Sequence, residues 1–468
     1  MPELRLVTAM LTRVEIDGFK SFERFSINLP PFAVVVGPNA VGKSNFFDAL
    51  RLLSKLAEED VHSAFQGLRG EPSELFRVGA DGQLASSIKI AAELLLDKTI
   101  QDSYGSEYTL KGVRMRYEVV IERRRSAVDA PDRLYIASET ANLIQRSRDR
   151  LFGKTSASDK RAIVAWAPSS NKKPELLTTH GSGPSAWLEV SQDGSAGRPQ
   201  TVPLGQATAT FLSRVRTADQ FLHLFALREA VAGIRHLHLE ASRARLPSDQ
   251  FDKGEMSPDG SNLAAVLARI RDETRSAERP DGVLADIRAD LTELISGTQN
   301  LEVVRNDAAK QYQAFVQMTD GSRFSSRVIS DGTLRLLALL TYLHDPKRSG
   351  VLCFEEPENG IHEGQVPALI DLLRGFCSDL SGAPEAGAKL SQIIVNSHSP
   401  RVLSSLQPHE VIAADTMISR DGEGNVRRRT RMRRGVADQL PLLSAEEREH
   451  NLTRIELDQL LCDHRRAS

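Results

Sequence analysis

Apolar and polar residues alternate along Leu11-Thr-Arg-Val-Glu-Ile-Asp-Gly18 and again along Phe25-Ser-Ile-Asn-Leu29, with Phe19-Lys-Ser-Phe22 between them. A period of two is that of a half-buried strand, so these three segments are expected to open the chain in β-structure. Pro30-Pro31 punctuates the pattern, and Phe32-Ala-Val-Val-Val36 follows, wholly apolar and rich in β-branched residues. That composition suits a central parallel strand buried on both faces. A glycine-bearing loop comes next. The period then lengthens: Phe46, Phe47, Leu50 and Leu53 recur at helical spacing between Lys43 and Leu56.

Further along, Ser87-Ile-Lys-Ile, Tyr117–Ile121, Leu134-Tyr-Ile-Ala, Ala162–Trp166 and Ala186–Val190 read as separate strands joined by polar, Gly- and Ser-rich turns. An antiparallel sheet is expected there. From about Thr208 to Gly297 the pattern is mainly helical, with a polar loop around 249–261, and strands return from Leu301. Leu334–Leu340 is a strongly apolar helix. Val351–Phe354 and Ile393–Val395 are short buried strands, Val411-Ile-Ala-Ala is a candidate further strand, and the tail from Glu446 is charged and helical. The expected fold class is α/β, a P-loop head with a mixed, largely parallel central sheet, an antiparallel β lobe and an inserted helical lobe. The expected units are residues 1–85, 86–205, 206–300, 301–420 and 421–468.

Composition narrows the function classes. The 468 residues carry 60 basic and 62 acidic side chains, a net charge of −2, so any nucleic-acid contact must come from a local patch. Only 5% of residues are aromatic, little material for a base-stacking platform. The three cysteines, Cys353, Cys377 and Cys462, form no CxxC, which argues against a zinc ribbon or a disulfide framework. No stretch has the length of a membrane span, and the N-terminus lacks the pattern of a signal peptide. A cytoplasmic protein without a membrane partner is the expectation.

Four motifs carry candidate chemistry. Gly37-Pro38-Asn39-Ala40-Val41-Gly42-Lys43-Ser44 matches GxxxxGK[ST] between a buried strand and a helix, the context that motif requires. Its glycines let backbone N–H groups converge on phosphate oxygens, and the helix N-terminus adds partial positive charge. Lys43 would reach the β- and γ-phosphates and Ser44 would bind Mg2+. Second, an apolar strand ends in Glu355-Glu356-Pro357. Alone, two acids make a solvated turn; after a buried strand they suit a metal-holding Glu355 and a water-polarising Glu356. Third, His398 follows the strand Ile393–Val395, where a histidine is either structural or within reach of a γ-phosphate. Fourth, Ser330-Asp331-Gly332-Thr333 precedes the apolar helix. By itself it is a well-capped helix start, and such a terminus is also an anion site.

Taken in order, Gly37–Ser44, Ser330–Thr333, Glu355–His362 and Asn396-Ser-His-Ser-Pro400 resemble the motifs of ABC-type ATPase heads, and most closely the RecF/SMC-like branch of AAA-type ATPases, including the ATPase part of OLD-type proteins. Ile16–Phe22 resembles the start of such heads, and Asp259–Leu267 fits their stand-alone members. The resemblance covers roughly residues 11–85 and 235–415. It implies a signature motif at Ser330–Thr333 that contacts ATP held by a second copy of the chain, and a D-loop of Glu358, Asn359, Gly360 and His362 at the dimer interface. It also implies two ATP molecules sandwiched in a head-to-tail dimer or a larger ring, with Asn45 closing the nucleotide loop and Phe19, Lys20 and Ser21 near the base or ribose. Glu355 stands where aspartate is usual, and the signature lacks the second glycine of transporter cassettes, which disfavours a transporter role. Gln66 is the candidate for a glutamine loop at the metal, with a surface glutamine as the alternative.

OLD-type proteins carry a Toprim nuclease after the head. The residues after His398 show no such acidic set, so any cleavage is assigned to a separate effector. The run Arg427-Arg428-Arg429-Thr-Arg431, with Arg123–Arg125 and Arg146, Arg148 and Arg150, is either a DNA-contacting patch or a solvated charged face. Two functions stay in view: an ATPase acting on DNA in repair or anti-phage defence with a partner effector, and an ATP-gated scaffold that binds a protein and barely turns over.

Overall fold

A computed structural model describes residues 7–79, 81–102, 104–124, 132–145, 149, 175–193, 198–252, 254–348, 350–380, 389–420, 426–435, 449–453, 455–457 and 459. Its centre is a six-stranded sheet in the order Ile234–Leu237, Val351–Glu355, Gln392–Ser397, Phe32–Val36, Val411–Arg420, Val426–Arg434. The strands pair in parallel up to Val411–Arg420, and Val426–Arg434 closes the edge antiparallel. Phe32–Val36 is buried along its whole length, as its composition requires of a strand covered on both faces.

The period of two sorts these strands between two cores. Ala33, Val35, Val351, Cys353 and Ile394 face one apolar cluster with Phe46, Phe47, Leu50 and Leu53 of the helix Lys43–Leu56. Phe32, Val34, Leu352, Phe354, Ile393 and Val395 face the other, filled by the helices Leu263–Thr274, Asp331–Leu343 and Val366–Gly375.

Over the first cluster lies an eight-stranded antiparallel sheet in the order Gln200–Pro203, Trp187–Val190, Glu175–His180, Arg133–Leu143, Arg114–Arg124, Ser87–Leu96, Ala9–Asp17, Phe25–Asn28. The opening strands therefore belong to this antiparallel sheet, and the sheet runs across the expected boundary at residue 85. Ala9–Asp17 pairs with Ser87–Leu96 from Ala9↔Leu96 to Asp17↔Lys89, so one hydrogen-bonded ladder joins the first two expected units. Residues 18–24 form a turn and not a strand: Lys20 and Arg24 sit at φ 45. The helical segment also holds a strand that periodicity missed, Ile234–Leu237, which joins the parallel sheet beside Val351–Glu355. A further four-stranded antiparallel sheet is formed by Ser248–Asp249, Gln311–Met318, Thr298–Asn306 and Arg323–Ser325. The expected strand at 162–166 lies outside the described residues, as does most of the expected tail helix.

Register decides where chemistry collects. Glu355 pairs with Asn396, Asn396 with Val35 and Ser397 with Val36. The carboxyl ends of three adjacent parallel strands thus finish in one row, the usual ligand edge of an α/β sheet.

Candidate functional site

The glycine loop leaves the central strand at this edge. Gly42 caps the helix Lys43–Leu56 at φ 102, and a Cβ there would lie 2.1 Å from Thr430 Oγ1 and 2.9 Å from Ser21 Oγ. Only glycine fits both the conformation and the space. Thr430 Oγ1 donates to Val41 O at 2.8 Å and bonds Ser21 Oγ at 2.6 Å, and Asn45 Nδ2 donates to the same hydroxyl at 2.9 Å. The loop is thereby held from below by a strand nearly four hundred residues later. Ala40, inside the loop, is also left-handed at φ 65. Lys43 Nζ donates to Gly37 O at 2.6 Å and Pro38 O at 2.8 Å. Burial pushes the Lys43 ammonium pKa down, and the Glu356 carboxylate opposes that shift. A cleft of about 400 Å3 runs between Gly37, Pro38 and Asn39 on one side and Ser397, His398 and Ser399 on the other.

Glu355 stands at the junction of three elements. Ser44 Oγ donates to its Oε2 at 2.8 Å, Asn396 Nδ2 donates to the same oxygen at 2.9 Å, and Arg69 Nη2 meets Oε1 at 2.9 Å. A hydroxyl and a carboxylate in contact beside a phosphate-shaped loop are a hard-oxygen set that fits Mg2+, which takes one or two protein oxygens and keeps the rest for phosphate and water. Among the described residues no group of three His, Cys, Asp or Glu side chains could hold a metal by itself. Glu356 adopts φ 50, unusual for a residue with a side chain, and its N–H donates to both Asn396 O at 3.1 Å and Asn396 Oδ1 at 3.0 Å. Its carboxylate accepts from Asn359 Nδ2 at 2.6 Å and lies 3.2 Å from His398 Nδ1. Glu358 is buried; its carboxylate accepts from Ser397 Oγ, and burial raises its pKa while that bond opposes the rise.

The Ser330–Thr333 segment starts the helix Asp331–Leu343. Ser330 Oγ accepts from Thr333 N at 3.2 Å, as an N-cap does. Gly332 packs directly on Gly360: a Cβ on Gly332 would lie 2.2 Å from Gly360 O.

The structure gives the other expected site residues these surroundings. Gln66 bonds His62, its ring nitrogen 2.9 Å away, at the end of the helix Val61–Gln66. It is Arg69 that reaches Glu355. Phe19 is wholly buried. Lys20 is tied to Asp48 at 2.7 Å and to Arg69 O at 3.2 Å. Glu358 lies inside the fold on Ser397. His362 caps a short turn, accepting from Gly364 N at 3.1 Å. The arginine run is an edge strand whose charges are matched at close range: Arg431 forks onto Asp415 at 2.9 and 2.8 Å, Arg429 meets Glu449 at 2.7 Å, and Arg433 meets Glu456 at 2.7 Å. Arg427 and Arg428 are exposed at the strand's start. Arg123 pairs with Asp132 and Arg124 with Glu122, while residues 125, 146, 148 and 150 lie outside the described set. No motif marks Arg69, and Asn396, although it opens the segment Asn396–Pro400, has no spacing that ties it to Glu355.

A family model described as "AAA domain, putative AbiEii toxin, Type IV TA system" matches residues 32–404, a span holding all four motifs. Among curated proteins, the chromosome partition protein Smc of Methanocaldococcus jannaschii is 41% identical over 61 residues, which is 12% of this chain and 5% of that protein's length. Among solved structures, an Smc head bound to the C-winged helix domain of ScpA is 14% identical, with 94% of this chain and 99% of that chain covered and a TM-score of 0.47. The Smc head with a coiled coil and joint from Pyrococcus yayanosii is 12% identical, with 98% and 100% covered and a TM-score of 0.45. The assignment stands on the family match and the ordered motifs. The chain belongs to the AAA-domain family so described.

Proposed function

We propose that the chain hydrolyses ATP with Mg2+ at sites shared between two head-to-tail copies, and that this turnover serves DNA repair or anti-phage defence through a separate effector such as a nuclease. One observation carries the hydrolytic part: Glu356 and His398 meet 3.2 Å apart at the strand edge that also holds the glycine loop. A carboxylate fixed by Asn359 and by a doubly bonded N–H can orient and polarise a water, and a histidine beside it can donate to a γ-phosphate. Lys43 would leave the carbonyls of Gly37 and Pro38 for phosphate oxygens. Ser44 and Glu355 would hold Mg2+, with Asn396 and Arg69 orienting the carboxylate. Bound there, the ion supplies charge neutralisation on the phosphates.

The decisive experiment is the ATPase rate of the purified chain with and without double- and single-stranded DNA. Turnover raised by DNA supports the DNA reading and names the form sensed. No turnover with Mg2+ would sink the enzyme reading. The scaffold alternative is favoured by one observation. Arg429, Arg431 and Arg433 have their charges matched by Glu449, Asp415 and Glu456, which leaves less free charge for a phosphate backbone. Steady turnover indifferent to DNA would shift the partner to a protein.

A further inference from the structure

We propose that Arg245 positions the Ser330–Thr333 turn to receive the terminal phosphate of a nucleotide held by the second copy; this rests on the two-copy reading above. Arg245 follows the short helix Ala241–Ala244, more than eighty residues before the turn it serves. Its Nη1 donates to Arg327 O at 2.9 Å and to Ile329 O at 2.7 Å, and its Nη2 pairs with the Asp331 carboxylate. Its own carbonyl accepts from Ser326 Oγ at 2.9 Å, and Ser326 N is anchored on Ala314 O at 2.9 Å. One residue therefore grips the chain at 326, 327, 329 and 331.

The consequence follows from peptide geometry. A planar trans peptide points its C=O and N–H in opposite directions. With Ile329 O turned to the guanidinium, the Ser330 N–H must point away from Arg245. The first amides of the helix Asp331–Leu343 have no intrahelical acceptor and carry the positive end of the helix dipole. On its other flank the turn rests on Gly360 through Gly332. The turn is thus clamped between a guanidinium fork and a backbone contact, with its donors directed by the clamp. A rigid fork can serve two carbonyls and a carboxylate together; a single ammonium cannot. Stability gains little from this pair, because Asp331 is 72% exposed and exposed ion pairs contribute little. A hollow of about 430 Å3 lined by Ser242, Arg245, Leu246, Arg327 and Asp331 keeps the guanidinium at the surface, where a core residue would be sealed.

The test is a mixing experiment. Arg245→Ala should keep the nucleotide affinity and thermal midpoint of the monomer while its turnover at saturating ATP falls about 100-fold, the loss that a misplacement near 1 Å brings. Arg245→Lys, which keeps charge but not the fork, should stay impaired. Mixed with Lys43→Ala, which keeps an intact turn but a broken phosphate loop, Arg245→Ala should recover activity. Ser330→Arg mixed with the same partner sets the scale. Normal turnover in Arg245→Ala or Arg245→Lys overturns the assignment. So does a failure to recover when Ser330→Arg does recover, or a nucleotide affinity that falls in step with stability. Full activity of Ser330→Arg alone would instead refute the shared site itself.

Discussion

Replacing Gly332 with alanine sets two physical effects against each other. Gly332 lies in the first turn of the helix Asp331–Leu343, where alanine is intrinsically better than glycine by about 1 kcal/mol. If the site were open, the variant would be more stable than the parent. The structure says it is not open. The added Cβ would sit 2.2 Å from Gly360 O and 2.7 Å from Gly360 Cα and carbonyl carbon. All of these are backbone atoms, which cannot rotate aside. Gly360 is itself at φ 86, and its own Cβ position is 2.4 Å from Gly332 Cα, so neither partner can yield by a small turn. Restoring ordinary contact needs the two loops to part by about 1 Å. Overpacking of this kind costs about 1–3 kcal/mol, enough to cancel the helix gain.

Function should suffer more than stability. The same 1 Å separates the Ser330 turn from the loop that holds Asn359, and Asn359 holds Glu356. A displacement of that size near reacting groups costs about 100-fold in rate. The assay is a thermal melt alongside steady-state ATP hydrolysis and nucleotide binding by the isolated chain. We expect a lowered melting temperature, nucleotide affinity close to the parent's and turnover reduced by about two orders of magnitude. A variant that melts at or above the parent temperature and hydrolyses ATP normally would refute the backbone contact and the coupling drawn from it.

Three further outcomes follow from the geometry. Glu356→Gln keeps the size and the Asn359 contact but removes the carboxylate charge, so it should bind ATP, lose at least about 100-fold in turnover and accumulate as an ATP-bound dimer on gel filtration; a normal rate would remove Glu356 as the base. Thr430→Val keeps volume but deletes the bonds to Val41 O and Ser21 Oγ; at about 1 kcal/mol each, ATP affinity measured by titration calorimetry should drop by up to about 30-fold, and an unchanged affinity would separate that strand from the phosphate loop. Glu139 is fully buried, and burial pushes its pKa up to about 7, against the N–H groups of Leu212 and Phe211 and the Tyr117 hydroxyl that pull it down. The folded state therefore keeps a proton that the unfolded chain releases near 4.5, so this stabilisation is whole below that pH and lost as pH rises through 7. Urea unfolding should weaken by up to about 3 kcal/mol between pH 5 and pH 8, and Glu139→Gln should flatten that slope; an equal slope in the variant would assign it elsewhere.

What the sequence determined by itself was local and periodic. The all-apolar strand before Gly37, the helical spacing of Phe46, Phe47, Leu50 and Leu53, and the acids after Val351–Phe354 each follow from neighbours within a few positions, so they could be read without a fold. The order of the motifs supplied the family. The tertiary structure decided whatever depends on pairing across long separations. Strand register brought Glu355, Asn396 and Ser397 into one row, although no spacing between residues 355 and 396 encodes it. Arg69 reaches Glu355 across 286 positions, and Thr430 reaches Val41 across 389. The opening strands alternate and join the antiparallel sheet, and a period of two reports that one face is buried and not which sheet buries it. Charge pairing is decided in the same way. An arginine run read along the chain looks like a free patch, and only the fold brings Asp415, Glu449 and Glu456 against it.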